Sequence, residues 1–287
     1  MPDRTVDNFP VMEEMTVQTV GQYLQRKRSI VIPIGITEQH GYHLPLNTDA
    51  LIATRLAYQA GLAADVLVAP TVIQSFSGGS SPGTINISPA VMSQVIGDTL
   101  ISLVSQGFRN FYLFVCHGGS ENTRALNDAL RVLLRSNPAF SDVLVAVLPV
   151  WKMSSKGMGW DQAPSHRDWH AGWLETSMVM ALEPRLVRMD RLELDEPALL
   201  EQMRAHPDNY QMAEKIVDDP LVVPRLRQRP DVVVGVMGEP HKANVELGRK
   251  LVADIVGNLS RRIQELDAKA DGIYRQVPFV PAPLLFD

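Results

Sequence analysis

The sequence contains one cysteine in 287 residues. A single thiol excludes a disulfide framework, and it excludes a CxxC zinc site within the chain. A metal, if bound, must be held by His, Asp and Glu. Positive charge is also short: 27 Lys and Arg against 32 Asp and Glu leave a net charge of −5. A general nucleic-acid binder needs a basic face, so that class is disfavoured. No apolar run approaches the roughly 18 residues of a membrane span. The first residues, MPDRTVDNFPVMEEM, lack the apolar core of a signal peptide, and the expected location is cytoplasmic. With 45% hydrophobic and 21% charged residues, the composition is that of a soluble globular protein. We expect one domain over residues 1–287, with a peripheral elaboration around 190–230 and a Pro-rich tail at 277–287.

The pattern along the chain alternates. Residues 16–27 read as an amphipathic helix, and SIVIPIG (29–35) as a strand buried on both faces. A polar stretch follows at 36–49. A helix is expected over 50–62, with Thr48 or Asp49 as its N-cap. Further strands are expected at 65–73, 84–88, 110–116, 142–150 and 231–238. Helices are expected at 89–106, 121–136, 172–182 and 243–267. Val91, Val95, Leu100, Leu103 and Val104 mark the apolar face of the helix over 89–106. This order predicts an α/β fold, with a mostly parallel, doubly wound sheet and helices on both faces. The long segment 151–170 carries Trp151, Trp160 and Trp169; loops of that length are usually functional or disordered, and the tryptophans argue against disorder.

In open parallel sheets, ligands bind beyond the carboxyl ends of the strands. Three polar segments in such places carry metal-binding groups. They are Glu38-Gln39-His40-Gly41-Tyr42-His43 with Asp49 behind it, His117-Gly118-Gly119-Ser120-Glu121-Asn122, and His170-Ala171-Gly172-Trp173-Leu174-Glu175. Glu38 and His40 are two apart, so an extended backbone places both on one side. Asp49 has two oxygens and can bridge two cations. Gly118 and Gly119 allow a substrate to approach closely. Oxygen and imidazole donors suit Zn²⁺, Mn²⁺ or Fe²⁺. Two such ions would lower the pKa of a water and polarise a carbonyl. Cys116 reads as an inert strand residue.

At these residues the sequence resembles the creatininase family of metallohydrolases. Ile34 to Pro45 followed by Thr48-Asp49 is similar to that family's E-Q-H-G-x-H-L-P-x-x-T-D run. The segment around Ser80, Pro82-Gly83-Thr84, resembles its P-G-T segment. Cys116-His117-Gly118-Gly119 resembles its G-H-G-G-N turn, and His170-Ala171-Gly172 with Glu175-Thr176-Ser177 its H-A-G-x-x-E-T-S helix start. The resemblance implies a three-layer α/β/α sandwich and a site for two divalent ions. Glu38, Asp49 and His117 would hold one ion. His40, Asp49 and a further glutamate would hold the other. Creatininase proper has a glutamate where this chain has Gly119, so the further ligand is Glu175 or Glu121, with Glu175 favoured. His170 would move a proton or meet an oxyanion. Trp160, Trp169, Ser80, Gly118 and Gly119 would contact substrate. His43 would pack behind the ligands, His166 and Arg167 could reach substrate, and His206 and His241 read as ordinary packing or surface residues.

The implied reaction is attack of a metal-bound hydroxide on a carbonyl carbon, with cleavage of a C–N bond in a small cyclic or linear amide. The same scaffold also serves hydrolysis of oxidised cyclic sugars or polyols, and a metal-free binding protein on this fold is a third reading. The resemblance implies a homo-oligomer, a hexamer, with no nucleic-acid or membrane partner.

Overall fold

The structure is a computed structural model that describes residues 10–155 and 167–281. Among the described residues, four parallel strands form the central sheet: β1 (Ser29–Ile34), β2 (Leu67–Val68), β3 (Asn110–Val115) and β4 (Leu144–Pro149). Their order is β2-β1-β3-β4. β1 and β3 run in register from Ser29 beside Asn110 to Ile34 beside Val115. Among the described residues, seven helices accompany them: α1 (Val17–Arg26), α2 (Thr48–Ala64), α3 (Pro89–Gln106), α4 (Ser120–Ser136), α5 (Trp173–Leu182), α6 (Pro197–Ala205) and α7 (Val245–Lys269).

The two central strands are apolar on both faces, so each alternate side chain enters a different core. Ile30, Ile32, Ile34, Phe111, Leu113 and Val115 pack with α3 and α4. Val31, Tyr112 and Phe114 pack with α2, α5 and α7 on the other side. This is the expected α/β/α sandwich. No helix among the described residues is long and apolar enough to cross a membrane.

Several expected elements differ. β2 is shorter than the run 65–73 suggests. Val31 carbonyl accepts from Ala69 N–H at 2.8 Å, but Pro33 carbonyl accepts from Val72 N–H at 2.9 Å. One extra residue lies between these bonds, and Pro33 and Pro70 both lack a donor there, so the ladder breaks. Residues 84–88 form no strand: Ile85 N–H goes to the Thr37 carbonyl and Ile87 N–H to Ser75, both at 2.9 Å. Residues 231–238 form no strand either. The Asp195 carboxylate takes the N–H groups of Val233, Val234 and Gly235. On α3 the buried face is Met92, Ile96, Leu100, Leu103 and Val104, and Val91 faces out. The region 190–230 contains α6 and an antiparallel hairpin, β5 (Gln211–Glu214) with β6 (Arg225–Gln228).

Asn47, not Thr48 or Asp49, precedes the first turn of α2. Asp49 therefore lies inside the turn with both carboxylate oxygens uncommitted to a cap. The cap of α5 comes from Asp168, outside the expected set. Its carboxylate accepts from Trp173 N–H at 3.0 Å, Leu174 N–H at 3.1 Å and Glu239 N–H at 3.2 Å. An anion here satisfies first-turn donors and complements the helix dipole. Asp168→Ala leaves these buried donors unpaired. We expect a loss of about 1–3 kcal/mol, read as a lower denaturant midpoint; an unchanged midpoint would refute the capping role.

Candidate metal centre

The site is assembled at the carboxyl ends of β1 and β3. Beyond β1, Gly35 passes the start of α2 so closely that a Cβ on it would lie 2.5 Å from the Ala50 Cα. Only glycine permits that approach, and it brings Asp49 beside the segment Glu38–His40. Beyond β3, Cys116 leads into His117. A Cβ on Gly119 would lie 2.7 Å from His117 Nε2, so this glycine lets the imidazole reach the Phe76 carbonyl at 3.0 Å. Glu175 projects from the first turn of α5 and accepts the Ala171 N–H at 2.6 Å.

Among the described residues, three groups of atoms could hold a metal ion: Glu38 with Asp49 and His117, His40 with Asp49 and Glu175, and Glu38 with His40 and His170. Asp49 faces two ways. Its Oδ2 is 3.1 Å from His117 Nδ1, and its Oδ1 is 3.2 Å from His40 Nε2. Glu38 Oε1 is 3.1 Å from the same His117 nitrogen, and Glu175 Oε2 is 3.8 Å from His40 Nε2. All five side chains are buried. His170 Nδ1 lies 3.9 Å from Glu38 Oε1, and its ring centroid is 4.2 Å from that of His40.

The electrostatics show a surplus of negative charge. Burial alone would lower the His40 pKa, yet Asp49, Glu175 and Glu38 push it up to about 10. Burial opposes protonation of His117 as well, but Glu38 and Asp49 raise it well above the ordinary value. Asp49, which burial would raise, is held far below the carboxylate range by His40 and His117. Burial, with Asp49 adding to it, pushes Glu175 up to about 8. Carboxylates buried in this way require cations or protons near them. The donors are all oxygen and imidazole nitrogen, so the set fits a divalent ion such as zinc, manganese or iron.

A cavity of about 370 Å³ opens onto Glu38, Asp49, His117 and Glu175. Its wall includes Gly118, Gly119, Trp151, Trp169 and His170. Trp169 is fixed by a hydrogen bond from Nε1 to the Arg204 carbonyl at 2.9 Å. Of the segment around Ser80, Ser77 and Gly79 line the cavity. Ser80 is exposed, and its N–H goes to Gln228 Oε1 at 2.6 Å. Glu121 belongs to none of the ligating groups among the described residues. His43 is buried behind the site, with Nε2 3.0 Å from Thr176 Oγ1. Arg167 pairs with Glu201. Trp160 and His166 lie outside the described residues. Burial pushes the Cys116 thiol up, which keeps it protonated. Asp168, Tyr210 and Gln228 also line the cavity. Sequence reading missed them because no local motif marks them.

The mycofactocin precursor peptide peptidase of Mycobacterium ulcerans (strain Agy99) is 28% identical over 279 residues, covering 92% of this chain and 96% of that protein. The creatinine amidohydrolase of Pseudomonas putida is 29% identical over 189 residues, covering 59% of this chain and 70% of that protein. A solved manganese creatininase shares the fold, with a TM-score of 0.71 and 22% identity over 90% of this chain and 98% of its own. The family description "Creatininase: Creatinine amidohydrolase" matches residues 13–263. This span takes in every segment that builds the site, and the chain belongs to the creatininase family of hydrolases.

Proposed function

We propose that this hydrolase uses two divalent metal ions to cleave the C–N bond of a small amide, cyclic or linear. The observation that carries this reading is the divided Asp49 carboxylate, one oxygen facing His40 and the other His117. Glu38, Asp49 and His117 would hold one ion. His40, Asp49 and Glu175 would hold the second. Ions bound there supply Lewis-acid polarisation of the scissile carbonyl and a water acidic enough to attack near neutral pH.

The chain's own residues do the rest. His170 presents Nδ1 on the cavity side, beside Glu38, while Nε2 lies 2.8 Å from the Gln39 carbonyl. Nδ1 can take the proton given up by the attacking water and pass it to the departing amine. Gly118 and Gly119 keep the floor open for substrate. Trp151 and Trp169 wall the cavity with apolar surface and exclude water. A role for Trp160 over the same cavity belongs to this proposal. So does the homo-oligomer, a hexamer, for which the exposed Val277, Phe279 and Val280 form a candidate contact. The kinship with an amidohydrolase and with a peptidase supports C–N chemistry, so short peptides count among the linear amides.

Glu175→Gln should lose one of the two ions in metal analysis, and Glu121→Gln should keep both; the reverse result overturns the ligand assignment. His170→Ala should retain metal and lower kcat by about 10²- to 10⁴-fold. A panel of creatinine, N-formyl amino acids, short peptides and cyclic ketones should show turnover among the amides. Turnover confined to ketones would favour an oxidised cyclic sugar. Less than about half an equivalent of metal in metal-replete protein would overturn the metal reading.

A further inference from the structure

Gln39 stands between two ligands, yet the hydrolysis outlined above gives it no task. Its side chain is fully engaged. Oε1 accepts the Gly41 N–H at 2.9 Å. Nε2 donates to the Gly235 carbonyl at 3.1 Å and lies 3.1 Å from His170 Nε2. The Gln39 backbone carbonyl is 2.8 Å from that same nitrogen. His170 Nε2 either accepts from the Gln39 amide or donates to the Gln39 carbonyl, one at a time, so Gln39 meets the back of the ring in either tautomer, and Gly235 in turn holds that residue.

Gly235 lies on the strap 233–239, which the sheet does not hold. Asp195, itself buried, grips the strap instead. Its Oδ1 accepts from Val233 N–H at 2.8 Å and Val234 N–H at 2.9 Å, and its Oδ2 accepts from Gly235 N–H at 2.6 Å. Two residues further on, Met237 N–H donates to the His170 carbonyl at 2.8 Å, and the Met237 carbonyl accepts from Trp169 N–H at 2.9 Å. The strap thus meets His170 twice, at its backbone through Met237 and at its ring through Gln39.

We infer that Asp195 and Gln39 are positioning residues for His170. Asp195 fixes Gly235, the Gly235 carbonyl fixes the Gln39 amide, and Gln39 fixes the ring with Nδ1 toward the cavity. The inference rests on the proton-moving role proposed for His170. Three N–H groups on one carboxylate leave the strap little freedom, and hydrogen-bond partners behind a reacting imidazole set its orientation. Asp195 touches neither the cavity nor a candidate ligand, so its effect on the reaction runs through this path.

Asp195→Asn tests it, because the change is nearly isosteric and replaces one acceptor oxygen by NH₂. Either way round, a donor then faces a strap N–H. In full-length, zinc-loaded protein we expect the His170 ring ¹⁵N signals to shift or broaden. The His40 and His117 signals and the zinc content should stay unchanged. On the best amide of the panel, kcat should fall about 10- to 100-fold with KM little changed. Gln39→Leu should give the same signature, and the double variant should lose no more than the larger single loss. Unchanged ring signals and kcat in folded Asp195→Asn would overturn the inference, as would losses that multiply. A merely structural role lowers the melting temperature but leaves the His170 signals of the folded fraction in place. If Asp195→Asn does not fold, Asp195→Glu and Gln39→Leu are read in the same way. The spectra need no substrate, so wild-type protein without turnover would defeat the hydrolase reading and leave this one decided by the ring signals.

Discussion

Three carboxylates, Glu38, Asp49 and Glu175, are buried within reach of the imidazoles of His40, His117 and His170. Much else in the structure follows from that constraint. Charge removed from water must be neutralised by protons, by hydrogen bonds or by cations. Among the described residues, one of the three accepts a backbone amide, Glu175 from Ala171. The others are left to His40 and His117, whose pKa values rise against the effect of burial. Elsewhere the chain buries carboxylates in another way. Asp168 and Asp195 each accept three backbone N–H groups. The contrast separates the two kinds of acid. Where backbone donors saturate the oxygens, the carboxylate fixes chain geometry. Where they do not, the oxygens remain available to a cation.

The fold keeps the second kind at one end of the sheet. At the opposite end, Asp267 on α7 accepts from Ser29 Oγ at 2.6 Å and Asn110 Nδ2 at 3.0 Å, and from the Tyr112 hydroxyl. These bonds fasten α7 to the starts of β1 and β3. The carboxyl ends of the same strands then release their chains into the site-bearing loops. Both strands are apolar on each face and wedged between two cores, so their ends are fixed in space. Glu38 and His117 begin from those ends, which explains why residues far apart in sequence converge on one Asp49.

The layered architecture was legible because period and composition agree in the long elements. β1, β3, β4 and every described helix except α6, which lies in the region 190–230 where no helix was expected, lie close to where the hydrophobic pattern puts them. The two-apart pair Glu38 and His40, the histidine after a strand, and the glutamate in a helix start were legible for the same reason: each depends on local geometry. Whether Glu175 or Glu121 approaches His40 depends on how α5 and α4 dock, and no short pattern encodes that docking. The Asp49 position inside the first turn of α2 was misread as a possible cap, since an acid at a helix start fits both roles. The seams at 84–88 and 231–238 misled for a related reason. A β-rich run has the composition of a strand, but the partners of its amides are Thr37, Ser75 and Asp195, whose involvement no periodicity reveals. Ser80 was read into the cavity with its neighbours, although it is exposed and its N–H goes to Gln228.

The failure at 231–238 explains more than it obscures. A true strand at that place would commit both N–H and carbonyl groups to a neighbouring ladder. With Asp195 occupying the N–H groups of Val233, Val234 and Gly235, the Gly235 carbonyl is left for a side chain, and Gln39 takes it. The apolar side chains still serve the core, since Val234 and Val236 are buried against it. A β-rich sequence thus does two jobs that a strand could not combine. It closes the core with alternate side chains, and it frees a backbone acceptor beside the cavity. The acid that makes this possible is remote from the site in sequence and belongs to no recognisable motif.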